Sequence, residues 1–225
     1  MKGDIVSPSR LVMVADATFF GRGFGFIVFR SPSLQRNLYF KQIRYESIIE
    51  YRIGRYELEQ RGFQMSGIVL DGRPGVMKVF SDIPVQMCQF HQKQIIRRYL
   101  TNNPKLEAGI ELKELIRPLC SDTKENFTKK LDNWYLKWEY FLKEKTRNED
   151  TGGWYYTHPK LRSAYRSLRR NLPHLFTYLE YPELNIPNTT NSLDGSFSSL
   201  KELVNIHRGF NMEMKLKIIE EILSN

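Results

Sequence analysis

Three carboxylates stand out by their surroundings. Asp16 interrupts LVMVADATFF (11–20), an otherwise apolar run with β-branched and aromatic members that reads as a strand buried on both faces. A carboxylate there costs several kcal/mol unless a cation or hydrogen bonds compensate it, and no Lys or Arg follows Arg10 on that strand. Backbone amides or a metal ion are the two remaining sources of compensation. Asp71 closes the apolar run SGIVLD and precedes Gly72. It either starts an Asx turn or, if the two strands are parallel neighbours, emerges beside Asp16 at the sheet end where ligands of open α/β sheets collect. Asp194 falls in the first turn of a helix whose apolar stripe is Leu193, Phe197, Leu200 and Val204. It leans toward the sheet or simply complements the helix dipole. Glu202, two turns on, is the fallback for this third acid, and Glu183 a poorer one. Three such acids holding two Mg2+ or Mn2+ ions suit in-line displacement at phosphorus. One ion activates a water or a 3'-hydroxyl, the other stabilises the leaving oxygen, and hard carboxylate oxygens favour these ions over zinc.

Cys88 and His91, three residues apart in a segment read as a strand end, suggest half a zinc site. A closed zinc site needs four ligands, and Cys120 with three scattered histidines does not complete one. For contact with a phosphate backbone the candidates are Arg162, Arg166, Arg169 and Arg170 on one helix face beside Trp154, Tyr155 and Tyr156, with Arg97 and Arg98. The competing reading of each is a solvated basic face over core aromatics. His207 and Arg208 sit at a helix C-terminus, where they complement its dipole.

The elements that must position these residues follow from periodicity. LVMVADATFF, FGFIVFR (24–30) and LYFKQIRY (38–45) form an antiparallel meander, and GRGFG between the first two is a turn rather than a phosphate loop. Ser47, with Glu50 three residues on, opens a helix by a capping box; Gly62 stops it, and Ile49, Ile53 and Tyr56 are expected to face the core. A strand ending at Asp71, a short segment from 74 to 80, a strand PVQMCQFH and a basic helix over 92–100 follow. This order is how an RNase H-like fold begins, a mixed five-stranded sheet with helices on both faces. From 104 to 181 the strand signal disappears. Helices are expected over 106–117, 123–145, 159–171 and 173–180, with a loop at 148–154 and two closing helices over 192–207 and 212–223.

The chain has 225 residues, 41% hydrophobic and 13% aromatic, enough to bury a full core. It lacks an apolar run long enough for a membrane span or a signal segment, so no membrane partner is expected. Two cysteines fit a reducing compartment without a disulfide scaffold. A formal charge of +9 points to a polyanionic partner, nucleic acid first.

Together these motifs resemble the catalytic region of mutator-like bacterial insertion-sequence transposases, whose triad is Asp, Asp, Glu. ADATFF is similar to that family's first-aspartate strand, IVLDGRPG to its second, CQFH to its Cys-x-x-His signature, and TTNSLDGSFSSLK with HRG behind it to the helix of the third acid. The agreement runs along nearly the whole chain, with Asp71 55 positions after Asp16 and Asp194 a further 123 on. The resemblance implies metal-dependent DNA cleavage and strand transfer at transposon ends into target DNA, by a homodimer at the cytoplasmic nucleoid. It also implies a division into an RNase H-like first part (1–103), a helical insertion domain (104–181) and closing helices (182–225), a structural or substrate-positioning role for Cys88 and His91, and phosphate contact by His207 and Arg208. Two features depart from the family. Asp194 stands where Glu is usual, one methylene shorter, although some relatives use three aspartates. The end-recognition segment that usually precedes the first strand is missing, as in a truncated copy or an excised core. The other readings are an RNase H-like nuclease or resolvase, and a DNA-binding remnant without activity.

Overall fold

The computed structural model describes residues 10–73, 75–206 and 209–224. Strands β1 (Arg10–Gly21), β2 (Phe24–Ser31) and β3 (Arg36–Ile43) pair antiparallel as the expected meander. Helix α1 (Ile48–Gln60) then leads to β4 (Gln64–Leu70), which lies parallel to β1. The short α2 (Val76–Val79) leads to β5 (Val85–Met87), parallel to β4. The result is one five-stranded mixed sheet in the order β3-β2-β1-β4-β5, flanked by helices.

Strand alternation splits the side chains of β1 between two cores. Leu11, Met13 and Ala15 pack with Phe29, Tyr51 and Leu58 on the α1 side. Val12 and Val14 pack on the other side with Phe26 and Val28, and with Leu193, Phe197, Leu200 and Val204 of α8 (Asn191–Ile206). Ile219 and Leu223 of α9 (Met212–Ser224) complete that second core. By parity Asp16 belongs with Val12 and Val14, on the face that α8 covers.

The α1 face differs from expectation. Ser47 caps the helix by accepting the Glu50 amide, but the Glu50 side chain pairs with Lys41 at 2.8 Å rather than closing the box. The buried residues are Tyr51, Gly54 and Leu58, while Ile49 and Tyr56 are exposed and Ile53 half-buried. Gly54 decides the face. A Cβ at this position would lie 2.4 Å from Phe29 Cε2, so the helix approaches β2 more closely than any larger residue allows.

The segment PVQMCQFH is not one strand. β5 stops at Met87, and α3 (Gln89–Leu100) starts with Cys88 as its cap. The Cys88 amide makes the last sheet bond, to Leu70 O at 2.7 Å, after which Gln89 donates to Asn188 O and Gln92 to Cys88 O. The Gln86 and Gln89 side chains, one on each side of this turn, both donate to Leu175 O.

Helices α4 (Glu107–Ile116), α5 (Lys124–Lys143), α6 (Pro159–Leu175) and α7 (Thr177–Glu180) close on a third core with Phe127, Leu131, Trp134, Leu168 and Phe176. That core also takes Met87, Ile96 and Leu100, so these helices are packed against β5 and α3. Helix α6 runs through Pro173, whose missing N–H costs one backbone bond close to the helix end. Residues 148–153 form the tip of a hairpin, β6 (Lys145–Arg147) with β7 (Trp154–Tyr156), and Asn148 Oδ1 accepts the Asp150 and Thr151 amides there. Three-residue strands are too short to show an alternation, which is why the strand signal was missing. No helix among the described residues is long and apolar enough to cross a membrane. Cys88, buried, and Cys120, exposed, are both free thiols.

Candidate metal centre

The parallel register of β1 and β4 pairs Val14 with Val69, so Asp16, in the middle of β1, lies level with Asp71, just past the C-terminal end of β4. Asp16 is 8% exposed, and the one hydrogen bond to its carboxylate among the described residues comes from its neighbour, the Ala17 amide, at 2.7 Å. It forms no ion pair with Lys or Arg there. Burial pushes its carboxyl up to about 7, against the pull of His91 and with the added push of Asp71 and Asp194.

Asp194 arrives from the opposite layer. Thr190, fully buried, accepts the Leu193 and Asp194 amides on its carbonyl and donates its hydroxyl to Asp194 Oδ2 at 2.9 Å. The Thr190 amide in turn donates to Cys88 Sγ at 3.3 Å, which ties the start of α8 to the start of α3. His91 sits in the first turn of α3, half-buried, its Nδ1 3.4 Å from Thr190 Oγ1. Its interaction with Cys88 raises the imidazole to about 9 despite burial, with Asp16 and Asp194 adding to the rise. Burial opposes ionisation of the Cys88 thiol, but hydrogen bonding with His91 and Thr190 holds it below its ordinary value. One ligand atom each from Asp16, His91 and Asp194 lies within 4.8 Å of the others, the one such grouping among the described residues.

Asp71 stands beside this group rather than in it. Its Oδ1 accepts the Arg73 amide at 2.9 Å with Gly72 at φ 85°, the Asx turn that the Asp-Gly pair suggested. Next to it, Glu46 accepts from Tyr51 Oη at 2.8 Å and pairs with Arg73 at 2.9 Å. Burial and the nearby Asp71 raise the Glu46 carboxyl. Glu46 and Tyr51 carried no periodic or motif signal of their own, and Thr190 lay inside TTNSLDGSFSSLK without being singled out. His91 carried one, the Cys-x-x-His spacing, but the segment's reading as a strand hid its direction. Glu202 is exposed on α8, and Glu183 is exposed at the opposite end of the sheet, in a cavity lined by Arg10 and Gln64. Asp194 is therefore the third acid that reaches the site.

Neither protein-family models nor curated proteins give a match to this chain.

The basic candidates divide into two groups. The Arg162 guanidinium stacks on Tyr156, 3.4 Å from the ring centroid, and donates to Leu142 O. Arg169 pairs with Asp132 at 2.8 Å, so both serve the packing of α5, α6 and the hairpin. Arg166 and Arg170 are exposed on α6 and form no ion pair among the described residues. Arg97 donates to Asn102 at the end of α3, next to the exposed Arg98. Trp154 and Tyr155 project from the hairpin at 67% and 51% exposure. His207 and Arg208 lie outside the described residues.

Proposed function

We propose that this chain is the catalytic core of a metal-dependent DNA transposase on an RNase H-like fold. The observation that carries the reading is the approach of Asp16 and Asp194, 178 positions apart, at the strand end where Asp71 also emerges. The sheet order β3-β2-β1-β4-β5, with β1, β4 and β5 parallel, supports the fold assignment, and the motif order supports the mutator-like resemblance.

The donor set fits a divalent cation. A buried carboxylate with one hydrogen bond and two acidic neighbours is compensated far better by a metal ion than by a single imidazolium. Asp16 and Asp194 would hold one ion, and Asp71 would serve a second beside Asp16. When bound, the ions supply Lewis-acid activation of the attacking oxygen and charge stabilisation of the leaving oxygen. Thr190 holds Asp194 toward the sheet, and the Asx turn at Arg73 holds Asp71 at the strand end. Arg166 and Arg170, with Trp154 and Tyr155 on the hairpin, offer cations and stacking faces to DNA ends.

The test is incubation of the chain with pre-nicked DNA taken from the flanks of its own coding sequence, a target plasmid and Mn2+, with Asp71→Asn as control. Joining of the 3'-ends to the plasmid by the wild type alone is the expected result. Hydrolysis without joining turns the assignment to a nuclease, and metal-independent binding with no turnover turns it to a DNA-binding remnant.

A further inference from the structure

One of the three donors that converge on the site is a nitrogen. His91 reaches that position because β5 ends at Met87 and α3 begins at Gln89, just where the Cys88 amide bonds Leu70 at the end of β4. The hydrogen-bond polarity around the ring follows from Thr190. Its hydroxyl hydrogen goes to Asp194 Oδ2, which accepts only, so at the 3.4 Å contact with His91 the Thr190 oxygen is the acceptor and Nδ1 carries the hydrogen. With Nδ1 holding a hydrogen, the nitrogen that a cation would use is Nε2. Metal-bound histidines are fixed in this way, their second ring N–H given to a neighbouring oxygen. Asp16 supplies an independent sign of an absent partner, being more than nine-tenths buried with the Ala17 amide as the one hydrogen bond to its carboxylate among the described residues.

We infer that His91 is a metal ligand, forming with Asp16 and Asp194 a two-carboxylate, one-imidazole site that prefers Mn2+ to Mg2+. The preference follows from the donor set, since Mg2+ keeps to oxygen ligands whereas Mn2+ accepts imidazole alongside carboxylates. Thr190 is the positioning residue for both His91 and Asp194. The inference rests on the metal-dependent reading of the site.

The test is pulsed EPR of Mn2+ added to the whole chain, with competition titrations against Mg2+. The wild type should show the 14N modulation of a coordinated histidine, and His91→Gln should lose it. His91→Gln should also bind Mn2+ about tenfold or more weakly while its Mg2+ affinity changes little. Mn2+ that binds without nitrogen modulation, or modulation that persists in His91→Gln, overturns the ligand assignment. His91 is then only a counter-cation for two acids, and the metal-dependent reading stands. Mn2+ that stays free in the presence of the wild type overturns both. The wild-type spectrum decides the first point whether or not the variant folds.

Discussion

Asp16 lies level with Asp71 across the parallel pair of β1 and β4, yet the two carboxylates have different partners. Asp71 accepts the Arg73 amide, while Asp16 is buried with only its neighbour's amide. The Asp71 side chain therefore has two separable roles, a turn-forming oxygen and a charge. Asp71→Asn keeps the oxygen and should melt within a degree or two of the wild type, whereas Asp71→Ala should lose roughly 1 kcal/mol. Both should abolish strand transfer. NMR titration of the metal-free protein should place the Asp16 carboxyl below its wild-type value of about 7 in Asp71→Asn, since one repelling charge is gone.

The raised carboxyl sets a pH dependence. An Asp16 that titrates near 7 in the folded chain and near 3.8 when unfolded binds an extra proton in the native state between those values. Its contribution to stability is thus complete below pH 3.8 and is lost as pH rises through 7. Thermal melts of the metal-free wild type should fall relative to Asp16→Asn across that window. Above pH 7, saturating Mn2+ should raise the melting temperature of the wild type and leave that of Asp16→Asn unchanged. Parallel profiles for the two proteins would contradict the assignment.

Thr190 offers a test of positioning without removal of a ligand. Thr190→Val keeps the shape but leaves Asp194 without its 2.9 Å hydroxyl donor and exchanges the 3.3 Å Cys88 contact for a methyl. The cost should be roughly 2 kcal/mol in chemical denaturation, with Mn2+ affinity about tenfold lower by calorimetry. Thr190→Ser should recover most of the affinity. A Val variant with undiminished affinity would remove Thr190 from the site.

The arginines of α6 should separate by function. Arg166→Ala with Arg170→Ala should leave the melting temperature unchanged, weaken binding to DNA ends, and lower the slope of log affinity against log salt by about two. Arg162→Ala should instead destabilise the protein, because it frees the Leu142 carbonyl and uncovers Tyr156. Equal losses of DNA affinity at constant stability for all three would reverse this division.

The legible part of the molecule was the part written in long periods. The β1–β3 meander, β4 with its terminal Asp71, the twenty-residue α5 and the apolar stripe of α8 all follow from residue alternation or helical spacing. The two acids on apolar strands were visible for the same reason, being charges inside runs with no other charge. The losses have local causes. The α1 face turned on a close approach of Gly54 to Phe29, which only the packed structure reveals. The β5–α3 break lies between buried glutamines that donate to the Leu175 carbonyl, 86 and 89 positions away. That break is also what brings His91, singled out by the Cys-x-x-His spacing, into the site. Glu46 and Thr190 lie in loops, and their ties to Arg73 and Cys88 span 27 and 102 positions, which no local pattern encodes.

The most direct measurement is an anomalous-scattering map from crystals of the chain saturated with Mn2+. The account predicts a peak in contact with the carboxylates of both Asp16 and Asp194. Saturated crystals with no peak between those two side chains, or with manganese only elsewhere, would contradict it.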